Sequence, residues 1–97
     1  MAEKQKFTPE NIVHLGPNEI FTFGSNTAGI HGAGAARRAY LVFGAVYGLG
    51  EGLMGKSYAF PTLDNNFCQR TDIELVESIR SFYRCCVDNP DLTFFLT

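Results

Sequence analysis

The fold is decided by residues 19–43, which read EIFTFGSNTAGIHGAGAARRAYLVF. The first five residues form a compact apolar run with β-branched and aromatic members, which predicts a buried strand that ends at Phe23. A glycine-rich segment follows from Gly24 to Ala36. Apolar residues then recur at the spacing of one face of an amphipathic helix: Ala36, Ala39, Tyr40 and Phe43. A strand, a glycine-rich segment and a helix in this order are typical of a ligand-binding loop.

The segments on either side of this stretch alternate between helix and strand patterns. Residues 1–7 are polar and are expected to be flexible, and a short helix is expected over residues 8–15 with Pro9 at its first position. A second glycine-rich stretch covers residues 44–55. A short strand is predicted from Ser57 to Phe60, with Pro61 as its stop.

A long helix is predicted after residue 70, because Thr71 and Glu74 have the spacing of a capping box. Its expected apolar face is formed by Leu75, Val76, Ile79, Phe82, Tyr83 and Cys86. Leu92–Thr97 reads as a final apolar strand. The alternation predicts one α/β domain over residues 1–97, in which helices flank a layered sheet with mixed or parallel strands.

The composition excludes several classes of protein. The net charge of −2 argues against a protein that binds nucleic acid, because such binding needs clustered basic residues. No apolar run reaches the roughly 20 residues that a membrane span requires. The three cysteines, Cys68, Cys85 and Cys86, have neither disulfide nor metal-ligand spacing. We therefore expect a cytoplasmic protein without a metal or a cofactor.

The glycines support two interpretations. All but one of the ten lie between Gly24 and Gly55, so this part of the chain needs unusual backbone geometry or close approach to something. In the first interpretation, backbone N–H groups and the helix N-terminus hold a phosphate group. In the second, the glycines only shape tight turns and close packing. The spacing matches neither the dinucleotide fingerprint nor the P-loop.

The glycine-rich segments also resemble those of a known family. Residues 20–36, with the continuations at 44–53 and 57–62, are similar to the first binding loop of the macro domains. The likeness is strongest to small macro-like proteins of bacteria and phages, and it spans residues 19–97. It implies a macro-like α/β fold that binds ADP-ribose or a related nucleotide.

The resemblance also implies which residues contact the ligand. In the first loop they are Gly24, Ser25, Asn26, Gly29, His31, Gly32, Ala33, Gly34 and Ala35. In the second glycine-rich stretch they are Gly48, Gly50 and Gly52. Asn26 corresponds to the loop asparagine that lies near the distal ribose, and the segment from Gly32 passes beside the diphosphate.

Three residues are candidates for catalysis, each with a structural alternative. Asn26 would contact the ribose or hold a water, or else it satisfies loop backbone groups. His31 would act as a base, or else it bonds a neighbouring carbonyl. Glu51 would act as an acid or base, or else it is an ordinary exposed loop carboxylate.

Two functional hypotheses follow from these residues. The first is binding of ADP-ribose or a related nucleotide, with hydrolysis at the distal ribose if the protein is an enzyme. The second is an interaction domain or a phage or defence accessory domain that keeps the fold without turnover. The resemblance implies a second glycine-rich turn after Thr97, so the C-terminal part of the fold is expected to be missing. The strand at Leu92–Thr97 is then expected to favour self-association.

Overall fold

A computed structural model describes residues 15–96, which form two helices and four strands. In chain order these elements are β1 (Glu19–Asn26), α1 (Gly34–Val42), β2 (Gly52–Met54), β3 (Ser57–Leu63), α2 (Asp72–Asp88) and β4 (Thr93–Leu96). The predicted flexible segment 1–7, the short helix at 8–15 except for Leu15, and Thr97 lie outside the described residues.

The four strands form one mixed sheet in the order β2-β3-β1-β4. β1 runs parallel to both of its neighbours, whereas β2 is antiparallel to β3. The prediction of an α/β fold with a mixed or parallel sheet is therefore confirmed. β1 lies in the centre of the parallel part, which explains why it is an uninterrupted apolar run rather than an alternating one.

The two helices cover opposite faces of the sheet. Consecutive side chains of a strand point to opposite faces, and Phe94 and Phe95 of β4 show which helix covers each face. Phe95 packs with the cluster that contains Ala39 of α1. The ring of Phe94 lies 5.4 Å from that of Phe82 of α2. The molecule therefore has three layers, helix, sheet and helix.

The face beneath α1 holds most of the apolar core. Its buried members include Phe21 and Phe23 of β1, Ala39 of α1, and Phe43, which directly follows α1. The rings of Phe21 and Phe43 lie 4.8 Å apart. The predicted helix face is confirmed at Ala39 and Phe43, but Tyr40 is 44% exposed.

The side of α2 that packs against the sheet includes fewer residues than the sequence pattern predicts. The capping box is confirmed, because Glu74 N donates to Thr71 Oγ1 and Thr71 N donates to Glu74 Oε1. Phe82 packs against the sheet and Ser78 is buried. The placement of Val76, Ile79 and Tyr83 on the buried face is wrong, since all three are 46% exposed or more. The rest of the sheet-facing side of α2 is formed by half-buried residues, Leu75, Cys85 and Cys86.

Two strand boundaries differ from their predictions. β1 continues past Phe23 to Asn26, so Gly24 and Ser25 belong to a strand rather than a loop. The prediction that the next strand stops at Pro61 is wrong, because β3 continues to Leu63. β3 tolerates Pro61 because β2 pairs with β3 only as far as Ala59. The N–H group that proline lacks is therefore not needed for hydrogen bonds to β2.

The second glycine-rich stretch contains a strand that the sequence did not predict. β2 and β3 form a hairpin in which Met54 pairs with Ser57 across a two-residue turn. Gly55 has φ +56°, as the first central residue of a type II′ turn requires. A Cβ on Gly55 would lie 3.0 Å from the Cα of Gly44, so the hairpin also packs tightly on the end of α1.

β4 lies at one edge of the sheet, with β1 as its partner among the described residues. An exposed edge can pair with another chain, so self-association through this strand remains a prediction. Between residues 15 and 96, no helix is long and apolar enough to cross a membrane.

Tyr58 gives this fold a predicted sensitivity to alkaline pH. Burial, together with the negative charge of Glu51, raises the pKa of Tyr58 to about 12 from its ordinary value of 10.0. Between these two values the unfolded chain loses the phenolic proton and the native protein keeps it, so the free energy of unfolding falls as pH rises. We expect Tyr58→Phe to lose less stability than the wild type between pH values of about 10 and about 12 in urea titrations. Equal losses in both proteins would refute this.

Candidate functional site

A cleft of about 400 Å³ opens where the carboxyl ends of β1 and β3 meet the N-terminus of α1. The cleft is lined by residues at the ends of β1 and β3, around the start of α1 and in the turn after β3: Gly24, Ser25, Asn26, Ile30, Gly32, Ala33, Ala36, Thr62, Leu63 and Phe67. Open α/β sheets bind ligands outside the carboxyl ends of their strands, so the cleft lies where such a fold places its ligand.

The N-terminus of α1 reaches the cleft without a cap. The N-cap residue is Ala33, with extended backbone angles of φ −155° and ψ 162° and no side-chain hydrogen bond to the helix. No acidic residue lies in the first turn. A helix cannot satisfy its own first N–H groups, so those of Gly34, Ala35 and Ala36 depend on an outside acceptor. Uncapped N–H groups and the positive end of the helix dipole suit an anion.

The two glycine-rich stretches pack directly on one another. A Cβ on Gly50 would lie well inside 3.0 Å of the carbonyl oxygen of Asn26. A Cβ on Gly29 would come equally close to the backbone between Gly48 and Leu49. The Gly48 N–H donates to the Gly29 carbonyl at 2.8 Å. These glycines therefore allow close approach of two backbone segments of the same chain.

Ser25 strengthens this packing beside the cleft. It is buried near the end of β1, and its hydroxyl donates to the carbonyl oxygen of Gly50. The hydroxyl thus fixes the second glycine-rich stretch against β1. This contact positions the wall of the cleft, and no sequence pattern predicts a Ser25–Gly50 pair.

Asn26 closes the turn that follows β1. Its Nδ2 donates to the Ile30 carbonyl, and the Ile30 N–H donates to its Oδ1, both at 3.0 Å. The side chain is buried, with 6% of its surface exposed. Asn26 therefore satisfies loop backbone groups, which was the structural alternative for this residue. Contact with a ribose remains a prediction.

His31 is part of the packing rather than of the cleft lining. The ring is 1% exposed, and its Nε2 lies 3.0 Å from the Val46 carbonyl oxygen and 3.1 Å from that of Leu49. Both partners are acceptors, so Nε2 carries the proton. The ring also makes edge contacts with Phe23 and Tyr47. His31 thus fastens the second glycine-rich stretch to the first, as its structural alternative states.

The remaining predicted site residues lie beside the cleft or away from it. Gly34 and Ala35 form the first turn of α1, and Gly52 begins β2. Glu51 is exposed, lies outside the cleft lining and acts electrostatically on Tyr58. Its role in catalysis remains a prediction without support from its position.

No metal site is found within residues 15–96, and two of the thiols there are held in their protonated form. No group of three or more His, Cys, Asp or Glu side chains in this part of the chain is placed to hold a metal ion. Burial raises the pKa of the Cys85 and Cys86 thiols, which keeps both protonated near neutral pH.

Several cleft residues could not be identified from the sequence. Thr62 and Leu63 are the last residues of β3 and Phe67 lies in the turn after it, and they reach the cleft because β3 pairs with β1. Pro61 predicts the end of the strand, so the residues after it are not expected to lie beside β1. The sequence signal that could have identified Leu63 and Phe67 is that they are large apolar residues within residues 62–70, a segment that is otherwise mostly polar.

No protein-family model matches the chain, and no match is found among curated proteins or among solved structures. The similarity to the macro domains therefore rests on the motifs of residues 20–36, 44–53 and 57–62 and remains a prediction.

Proposed function

We propose that the cleft binds a phosphate-bearing nucleotide of the ADP-ribose class, with its phosphate groups at the N-terminus of α1. The observation that carries this proposal is the uncapped start of that helix. Ala33 has the extended backbone geometry of an N-cap, a position where Ser, Thr, Asp and Asn are strongly preferred. Alanine forgoes a stabilisation of about 1 kcal/mol there and leaves the first N–H groups of α1 without a side-chain acceptor.

The surroundings of these N–H groups suit an anion. Gly32 and Ala33 are exposed, and their small side chains leave the backbone open to a ligand. Space at Gly32 is ample, because an added Cβ would meet no atom within 4 Å. An incoming phosphate therefore meets the positive end of the helix dipole without a competing carboxylate from the helix start.

The volume of the cleft supports a ligand larger than a phosphate ion. About 400 Å³ falls within the range of small-molecule sites. The lining combines Ala33 at the start of α1 with apolar residues at Ile30, Leu63 and Phe67. A ligand that carries both a phosphate and an apolar group would match this combination.

The positions of the three candidate catalytic residues favour binding without turnover. Asn26 is engaged by Ile30, His31 is engaged by two carbonyl groups, and Glu51 lies away from the cleft. These positions therefore support the first hypothesis in its form without hydrolysis, in which the protein binds the nucleotide and does not cleave it. Incubation with an ADP-ribosylated protein separates the two forms, because release of free ADP-ribose would show turnover.

Titration calorimetry with ADP-ribose tests the proposal, and Ala33→Asp is the informative variant. The carboxylate would cap α1 and repel phosphate at the same place. We expect a dissociation constant at least about tenfold higher than that of the wild type, with an unchanged or raised thermal midpoint. Ala33→Asn is the matched control, because it caps the helix without the charge and should weaken binding less.

Two results would contradict the proposal. One is the absence of heat when the wild type is titrated with millimolar ADP-ribose. The other is equal affinity of the wild type and Ala33→Asp, which would place the ligand away from the start of α1.

A further inference from the structure

The turn after β3 holds an aromatic residue in an unusual backbone conformation. Phe67 has φ +62°, and it is the one residue other than glycine with positive φ among residues 15–96. This region of backbone space favours glycine and, next, asparagine or aspartate. Two asparagines, Asn65 and Asn66, directly precede Phe67, yet the positive φ falls on the phenylalanine. Fold stability alone would favour a different residue at position 67.

The conformation of Phe67 is fixed by a dense set of hydrogen bonds. Asp64 Oδ1 accepts from the N–H groups of Asn66 and Cys68 at 2.8 and 3.0 Å. The backbone of Asp64 accepts from the Phe67 N–H and donates to the Cys68 carbonyl. A bridge between Leu63 and Gln69 closes the base of the turn. The ring is therefore presented from a rigid support.

The ring of Phe67 is exposed towards the cleft. About half of the residue, 53%, is accessible to solvent, although phenylalanine is among the residues most often buried. It lines the same cleft as Gly32 and Ala33 at the start of α1. Ile30 and Leu63 add apolar surface to this lining.

We infer that Phe67 is the stacking platform for an aromatic base, so the ligand of the cleft is a nucleotide rather than a sugar phosphate. This inference rests on the proposed binding of phosphate groups at the start of α1. A flat, rigid, half-exposed ring offers its face to a base, and such stacking tolerates different bases because each has a π-face. The strained backbone then has a function, since it orients the ring.

Removal of the ring tests this inference without risk to the fold. Phe67→Asn deletes the aromatic face and places at φ +62° a residue that tolerates this conformation. We expect the dissociation constant for ADP-ribose to rise roughly tenfold, because the base loses its stacking partner. The dissociation constant for ribose 5-phosphate, which has no base, should stay within about twofold of the wild type.

Phe67→Trp provides a direct signal. The chain contains no tryptophan, so the introduced indole is the single one in the protein. We expect its fluorescence to change on saturation with ADP-ribose and to stay constant with ribose 5-phosphate. The affinity of this variant for ADP-ribose should equal or exceed that of the wild type.

The possible failures are distinct. If the wild type binds both ligands and Phe67→Asn weakens neither, or weakens both equally, the stacking role is overturned and phosphate binding stands. An indole signal that is the same with both ligands also overturns the stacking role. If the wild type binds neither ligand, the proposed function is overturned together with this inference.

Discussion

Gly50→Ala is expected to lower the free energy of unfolding by about 3 kcal/mol or more. The new Cβ would lie well inside 3.0 Å of the Asn26 carbonyl oxygen and 3.0 Å from the backbone of Thr27. These are backbone atoms at the end of β1, so no side-chain rotation can relieve the clash. The second glycine-rich stretch would have to move away from β1, and Ser25 would lose its acceptor on Gly50.

Urea denaturation of the purified variants measures this effect. Gly32→Ala is the matched control, because a Cβ there meets no atom within 4 Å and the backbone has no positive φ. The control should stay within about 0.5 kcal/mol of the wild type, as surface substitutions usually do. Similar stabilities for Gly50→Ala and Gly32→Ala would show that the two glycine-rich stretches do not pack as described.

The elements that the sequence predicts well are those whose signals are local. The capping box at Thr71 and Glu74 lies within one turn of helix and needs no information from elsewhere in the chain. The centre of β1 is also predicted from a local signal, because a short apolar run around Phe21 and Phe23 favours a buried strand. Prediction from the sequence fails where a segment forms a strand only because it pairs with another segment. β2 has only three residues, and its pairing with Ser57–Ala59 is what makes it a strand.

The glycines illustrate a second limit of sequence reasoning. A glycine that leaves room for a ligand and one that leaves room for another backbone segment look the same in a sequence. Gly29 and Gly50 are of the second kind, because added Cβ atoms would strike the backbone of the same chain. Gly32 faces open space beside the cleft, so it is the one of the three free to serve a ligand. Only the three-dimensional contacts separate these roles.

The position of the cleft could be predicted from the sequence, whereas the contacts of its residues could not. The order of strand, glycine-rich segment and helix predicts a cleft at the start of the helix. The cleft is found there, and Ala33, the N-cap residue of α1, is part of its lining. The side chains of Asn26 and His31 hold loops together, which their residue types could not distinguish from ligand contact. Phe67 was missed because neither its positive φ nor its approach to the cleft follows from local sequence.

Phe82→Ala is expected to be about as damaging as Gly50→Ala, for a different physical reason. The ring of Phe82 lies at the centre of an aromatic cluster on the α2 face of the sheet. Its centroid is 4.8 Å from that of Tyr58, 5.4 Å from that of Phe94 and 6.1 Å from that of Phe60. Truncation removes these edge-to-face contacts and leaves a cavity between α2 and the sheet, which costs about 3 kcal/mol.

The adjacent residue supplies the control for this prediction. Tyr83 is also aromatic and lies on the same helix, but 70% of it is exposed. Both positions are inside α2, so substitution by alanine changes helix propensity in the same direction and by a similar amount. We expect Tyr83→Ala to change the free energy of unfolding by less than about 0.5 kcal/mol. Comparable losses in the two variants, measured by urea denaturation, would mean that Tyr83 is buried in solution and that α2 presents a different face to the sheet.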